Sequence, residues 1–363
     1  MSISRTRIEQ LQALLQEQNI DLLALGPGAH MQWLLGFHPH ADERPCLICV
    51  THDKAAFLMP ALNATGSRQE TDLTFYEWSD AEGPQGAMGK LLADLGVENA
   101  RKIALDETMR ADFAALVQDA ISTADRQFTA SSIGYFRMRK DEGEFKLLKE
   151  NALIADAAMM AGWGAMKVGM SELEVAEIIR EKFTDLDTKP LFTIVGAGSN
   201  GASPHHQTGE TILKSGDAVV MDIGGGKNGF SSDMTRMAIM GAAPDGYHEV
   251  HAIVEAAVQA AMQAARPGVK AHVVDDAARK VITDAGFGEF FVHRTGHGMG
   301  VEIHEQPYIT SASQTVLETG MVFSIEPGIY LPGRFGIRLE DIVILREDGP
   351  EILSNLPRDL TVI

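Results

Sequence analysis

The chain has 363 residues, 45% of them hydrophobic and 22% charged, and a formal net charge of −19. That length has room for two or three domains and a large core. The acidic balance argues against a nucleic-acid surface or an anionic-membrane partner. No apolar run approaches the roughly 18 residues that a membrane span needs.

The opening MSISRTRIEQLQALLQEQ reads as an amphipathic helix over 4–18 without an apolar signal core, so a cytoplasmic protein is expected. Strand DLLAL (21–25) and a GPGAH turn follow, with MQWLLGF, PCLICVTH, AAFLMP and KIALDE (102–107) as further strand candidates. Helical stretches MGKLLADLG and ADFAALVQDAIS alternate with them, which predicts an α/β domain over 1–130. The boundary is expected near 126–135, in DRQFTASSIG. Cys46 and Cys49 form a C-x-x-C with no second pair and no helix start to lower a thiol pKa. They read as buried strand residues rather than a redox pair or half of a zinc site.

A second domain over 131–363 opens with the long helix DEGEFKLLKENALIADAAMMAGWGAM, whose Met159, Met160 and Met166 read as core filler. Beyond it, GDAVVMDIG reads as a strand, GGKNG as a turn and FSSDMTRMAIM as the returning strand. Gly224, Gly225 and Gly226 lack the helix start and Lys-Ser/Thr of a phosphate loop, so they read as a turn or bulge. Asp222 and Asp233 are centred on Lys227 and Asn228, which predicts that their carboxylates meet across the hairpin. The device recurs in GMVFSIEPGIY, LPGR and FGIRLEDIVIL, where Glu326 and Glu340 are centred on Gly333. With His297 of HRTGHGMGVEIHE, these four acids have the spacing of a two-metal site. Two divalent cations held close together repel each other, so they need several anionic oxygens converging on one place.

The halves of this domain echo each other. ALIADAAMMAGWGAMKVG (152–169) matches AIVEAAVQAAMQAARPG (252–268) at an offset of about 99, as do Phe192 with Phe291 and His205 with His304. A period this long is not a solenoid's. It predicts two similar α+β halves related by a pseudo-twofold axis, with the site between them.

Asp222, Asp233, His297, Glu326 and Glu340, in that order and in those contexts, resemble the metallopeptidase family with the "pita-bread" fold. That family includes methionine aminopeptidase, aminopeptidase P and prolidase. The resemblance covers 140–363, and the N-terminal part resembles the smaller creatinase-type domain of prolidases and aminopeptidases P. It implies that these five residues hold two divalent metal ions per chain. Four carboxylates and one imidazole form a hard set that favours manganese, with cobalt or zinc also fitting. The resemblance further implies that His205, His293 and His304 line the substrate pocket and steady the oxyanion. Glu326 would carry a proton to the leaving nitrogen. His206 has no matching role. Arg338, two residues before Glu340, either orients acidic groups or substrate, or makes a supporting salt bridge.

Length and layout within the family resemble prolidase, which implies metal-dependent hydrolysis of Xaa-Pro dipeptides by a homodimer. The small-peptide substrate would have its proline carboxylate held by His205, His293, His304 and Arg338. Aminopeptidase P, acting on longer peptides, is the alternative; His38, His40 and Arg44 in GFHPHADERP are either surface polar residues or reach the pocket. A non-peptide hydrolase or lyase of the same fold is a further reading that the metal set weighs against, since creatinase-like members of the family lack it.

Overall fold

Short strands, the central four of them buried on both faces, build the first part of the molecule. The computed structural model describes residues 3–363 and divides into two compact units between Arg137 and Met138. The first contains α1 (Ile3–Glu17), β1 (Leu22–Leu25), α2 (Ala29–Leu35), β2 (Leu47–Val50), β3 (Ala55–Pro60), α3 (Ala61–Ser67), β4 (Thr74–Trp78), α4 (Gln85–Leu95), β5 (Lys102–Leu105), α5 (Ala111–Ala120), β6 (Asp125–Phe128) and α6 (Ile133–Met138). Its mixed sheet has the order β4-β3-β2-β1-β5-β6. Leu22, Leu47, Leu58, Trp78, Leu91 and Phe113 belong to its core.

The strand expected at MQWLLGF is instead the helix α2. His30, Met31, Trp33, Leu34 and Leu35 are all buried on it. A short run buried all round shows no polar face, and periodicity then cannot separate helix from strand. Gly36 ends the helix in the left-handed region at φ 85°, its N–H donating to the Gln32 carbonyl. Cys46 and Cys49 are free and buried, and burial pushes both thiols up to about 12. That environment suits packing and disfavours thiolate chemistry.

The second unit contains α7 (Glu142–Ala165), α8 (Glu172–Asp185), β7 (Lys189–Ala197), β8 (Ala218–Lys227), β9 (Phe230–Ser231), β10 (Met234–Ile239), α9 (Tyr247–Ala264), α10 (Ala271–Asp284), β11 (Gly296–Gly298), β12 (Glu305–Ile309), β13 (Val322–Ile325), β14 (Gly328–Leu331), β15 (Phe335–Arg338), β16 (Asp341–Arg346), β17 (Gly349–Ile352) and β18 (Thr361–Val362). Capping boxes start α7, with Asp141 and Glu144, and α8, with Ser171 and Glu174. Met159 and Met166 are buried as expected, but Met160 is 51% exposed. No helix among the described residues is long and apolar enough to cross a membrane.

The internal repeat is visible as structure. Glu172 to Ala271 and Asp185 to Asp284, the first and last residues of α8 and α10, are both 99 positions apart. β7, β8 and β10 form one antiparallel run, and β11, β13 and β16 form another. Alternation along β8 divides its side chains. Val219, Met221 and Ile223 pack with α7 and α8, while Ala218 and Val220 join the core built on α9 and α10. Asp222 continues the second of these faces, so the carboxylate enters the space between the two halves.

Candidate metal centre

The first hairpin turns at Asn228 and Gly229, both at positive φ (55° and 78°). This is the Asn-Gly two-residue turn that matches strand twist. It lies one position later than the spacing of the acids suggests. Asp222 therefore faces Thr235, not Asp233, across the ladder. Asp233 is Asp222's diagonal neighbour, still within side-chain reach. Gly224 and Gly225 are strand residues of β8: a Cβ on Gly224 would lie 2.5 Å from the Ser232 carbonyl, and β7 shifts register opposite them between Pro190 and Phe192.

The second hairpin has the expected centre. Ile325 pairs with Asp341 at the end of the β13–β16 ladder, and Gly328 pairs with Arg338 at the start of β14–β15. Both ladders share one register, in which Glu326 faces Glu340 at the break between them. That break frees both residues from regular pairing.

His297 sits between two glycines for a steric reason. A Cβ on Gly296 would lie 1.9 Å from the Ser324 carbonyl oxygen, and one on Gly298 would lie 2.1 Å from that of Gln306. Only Gly-His-Gly lets β11 approach β12 and β13 this closely.

The five side chains converge. Ligand atoms of Asp222, Asp233 and Glu340 lie within 4.8 Å of one another, as do those of His297, Glu326 and Glu340. His297 Nε2 is 3.2 Å from Glu326 Oε1 and 3.6 Å from Asp233 Oδ2. Burial and the neighbouring Glu340, Asp222 and Glu326 carboxylates push Asp233 well above the usual carboxylate range. Burial, with Glu326 and Asp222, does the same to Glu340. Burial also works against a charged Glu326, but His297, His293 and Arg338 hold it down to about 2.

This arrangement fits bound cations. Asp222 Oδ1 and Glu340 Oε1 are buried without any hydrogen-bond partner, a costly state for a carboxylate oxygen. His297 Nδ1 lies 3.1 Å from the Gly298 carbonyl. A carbonyl only accepts, so Nδ1 carries a proton, and Nε2, which faces two carboxylates, can give its lone pair to a cation in place of a proton. Cations between these groups would satisfy the lone pair and the orphaned oxygens together.

The site opens into a cavity of about 570 Å³ lined by Phe192, Ile194, Pro204 and Ile303 beside His205, His293, Arg294 and His304. The model of metallopeptidase family M24 matches residues 146–347, and the creatinase/prolidase N-terminal domain matches residues 7–140. The chain belongs to metallopeptidase family M24. It is 36% identical to the probable dipeptidase PepE of Mycobacterium tuberculosis, over 94% of this chain and 92% of that one. It is 33% identical to the Xaa-Pro dipeptidase of Lactobacillus delbrueckii subsp. lactis, over 98% of each. Among solved structures it is similar to the recombinant prolidase of Thermococcus sibiricus, with a TM-score of 0.92, 32% identity and 100% of both chains covered. The expected architecture, a creatinase-type N-terminal domain followed by a pita-bread catalytic domain, is borne out.

In this M24 chain the three expected histidines do line the cavity. The His304 ring stands edgewise on His297 at 4.1 Å, and burial, with His297 and Arg294, pushes it down to about 4. His293 Nδ1 donates to the Arg294 carbonyl, leaving Nε2 to accept from the Tyr330 hydroxyl at 2.7 Å. Arg338 is buried with its nitrogens engaged: Nη2 donates to Asp222 Oδ2 at 2.5 Å, Nη1 to the Tyr330 hydroxyl and the Pro204 carbonyl, and Nε to Thr235 Oγ1. Of the roles open to Arg338, these contacts support orienting Asp222. In the first unit, Arg44 pairs with Asp80, Asp42 and Glu43.

Three supporting residues were missed by sequence reasoning. Thr235 donates to Glu340 Oε2 at 2.7 Å, and Ser324 donates to Glu326 Oε1 at 3.0 Å while accepting from the His297 amide. Each sits two residues from a candidate ligand along an extended strand, so the period-2 rule could have found it. Tyr330, the third, carries no such mark.

Proposed function

We propose that this chain is a two-metal Xaa-Pro dipeptidase, with Asp222, Asp233, His297, Glu326 and Glu340 as the metal ligands. The observation that carries the reading is the convergence of those five groups, two of their oxygens unpartnered, at the floor of a cavity. The full-length likeness to Xaa-Pro dipeptidases supports the substrate class. Bound divalent ions, manganese first among them, would supply Lewis acidity and lower the pKa of a water.

The chain's own groups do the remaining work. Glu326, held by Ser324, takes the proton that the attacking water gives up and passes it to the proline nitrogen as the C–N bond breaks. His304 and His205 donate N–H groups to the carbonyl oxygen as negative charge develops there. With its pKa down at about 4, His304 does so as a neutral imidazole at pH 7. Phe192, Ile194, Pro204 and Ile303 give the cavity apolar wall for a pyrrolidine ring. The Xaa-Pro amide has no N–H, so nothing in the site needs to accept one. Arg294 lines the cavity and offers a positive charge to the free carboxylate of a dipeptide.

The test is kcat/KM for Ala-Pro against Ala-Pro-Ala. The expected ratio is about tenfold in favour of the dipeptide, near 1.4 kcal/mol. A reversed ratio makes the chain an aminopeptidase P, and no cleavage of either substrate removes the peptidase reading.

A further inference from the structure

His206 has no part in the chemistry described so far, yet its contacts are unusually well built. Its Nε2 lies 2.8 Å from Glu172 Oε2. Glu172 is fully buried at the first position of α8. Its other oxygen accepts from the Ala197 amide and from Asn200 Nδ2, both at 2.8 Å, and Gly209 N approaches Oε2 at 3.3 Å. One carboxylate thus ties the start of α8, the end of β7 and both sides of the 198–209 segment together. The carboxylate can only accept, so Nε2 of His206 carries a proton in this contact.

That segment carries His205 into the cavity. On one side of His205, the Pro204 carbonyl accepts from Arg338 Nη1 at 3.3 Å, and on the other stands the His206 ring. His205 is therefore gripped between a group that touches Asp222 and a buried carboxylate. A side chain that must meet a developing charge needs placement to within about 0.5 Å, which loops supply only when anchored.

We propose that His206 is a positioning residue: through its hydrogen bond to Glu172 it sets the place of His205 in the active site. The inference rests on the function proposed above, because it takes His205 to touch the substrate. Replacing His206 by alanine leaves Glu172 Oε2 with only the distant Gly209 amide and frees the segment to shift. A glutamine can put an amide N–H where Nε2 stands, and an asparagine is too short to do so.

The experiment measures Ala-Pro hydrolysis, metal content and amide hydrogen exchange over 196–209 in His206→Ala, His206→Gln, His206→Asn, His205→Ala and the double alanine variant. His206→Ala is expected to lower kcat about tenfold, with KM within about twofold, metal content unchanged and faster exchange at Ala197 and Gly209. His206→Gln should restore kcat and His206→Asn should not, a comparison that stands even where the alanine variant fails to fold. In the His205→Ala background, His206→Ala should cost nothing further, since it acts through His205. An undiminished kcat in His206→Ala, or an additive loss in the double variant, overturns the proposal. An enzyme that cleaves no Xaa-Pro dipeptide refutes the function instead, and the exchange data still report whether His206 holds the segment: unchanged exchange in His206→Ala overturns that claim by itself.

Discussion

Thr235→Val tests the support of the metal centre with almost no change of shape. Thr235 is fully buried; its hydroxyl donates to Glu340 Oε2 at 2.7 Å and accepts from Arg338 Nε at 3.0 Å. Glu340 Oε1 is already without a partner, so the valine leaves this carboxylate with no side-chain donor and Arg338 with an unpaired Nε. A hydrogen bond to a charged group contributes about 1.5–3 kcal/mol. At 1.4 kcal/mol per decade, that is a loss of about 10–100-fold in metal affinity, the range expected when a group that orients a ligand is removed. Calorimetric titration of chelator-treated protein with Mn²⁺ reads it directly. Thr235→Ser keeps the hydroxyl and should bind within a few-fold of the parent. Unchanged affinity in the valine variant, or equal damage in both, would refute the claim that this hydroxyl orients Glu340.

Asp233→Asn should abolish most activity while leaving the fold intact, because β8 and β10 carry their own apolar core; circular dichroism beside an Ala-Pro assay checks both halves. His297→Ala should lose metal, whereas His304→Ala and His205→Ala should keep it and lose on the order of 100-fold in kcat; elemental analysis of the three separates the roles. In metal-free protein, the raised pKa values of Asp233 and Glu340 mean that the folded state holds protons the unfolded chain releases. Their contribution is complete below the unfolded value of about 4 and is lost as pH rises through the folded values. Metal-free Tm should therefore fall with rising pH above about 4, and fall less steeply in Asp233→Asn; identical slopes would contradict the electrostatic account. Gly298→Ala should weaken metal retention as well as stability, since its Cβ would press on the Gln306 carbonyl beside the His297 strand.

How far the site could be read in the sequence differs from residue to residue. Glu326 and Glu340 were legible because a tight turn at Gly333 fixes the register, and that register runs unbroken through two ladders. Asp222 and Asp233 were legible as neighbours but not as a diagonal pair. The Asn228-Gly229 turn lies one residue beyond their midpoint, and a turn's place shifts every pairing by two. In the second unit α7 announced itself by its length, whereas α8 was not read, although Ser171 and Glu174 mark its start with a capping box. α2 escaped because burial on all sides erased its period. Tyr330 escaped for another reason. Its value lies in joining Arg338 to His293, a contact made by tertiary packing that no spacing encodes. His206 looked idle beside His205 until Glu172, 34 residues earlier, was found against its ring.

The most direct test of the central claim is a metal titration of chelator-treated enzyme with Ala-Pro hydrolysis as the readout. Activity should be absent without metal and should climb to a plateau near two equivalents of Mn²⁺ per chain, as a paired-ion site requires. Full activity in thoroughly chelated protein would contradict the account.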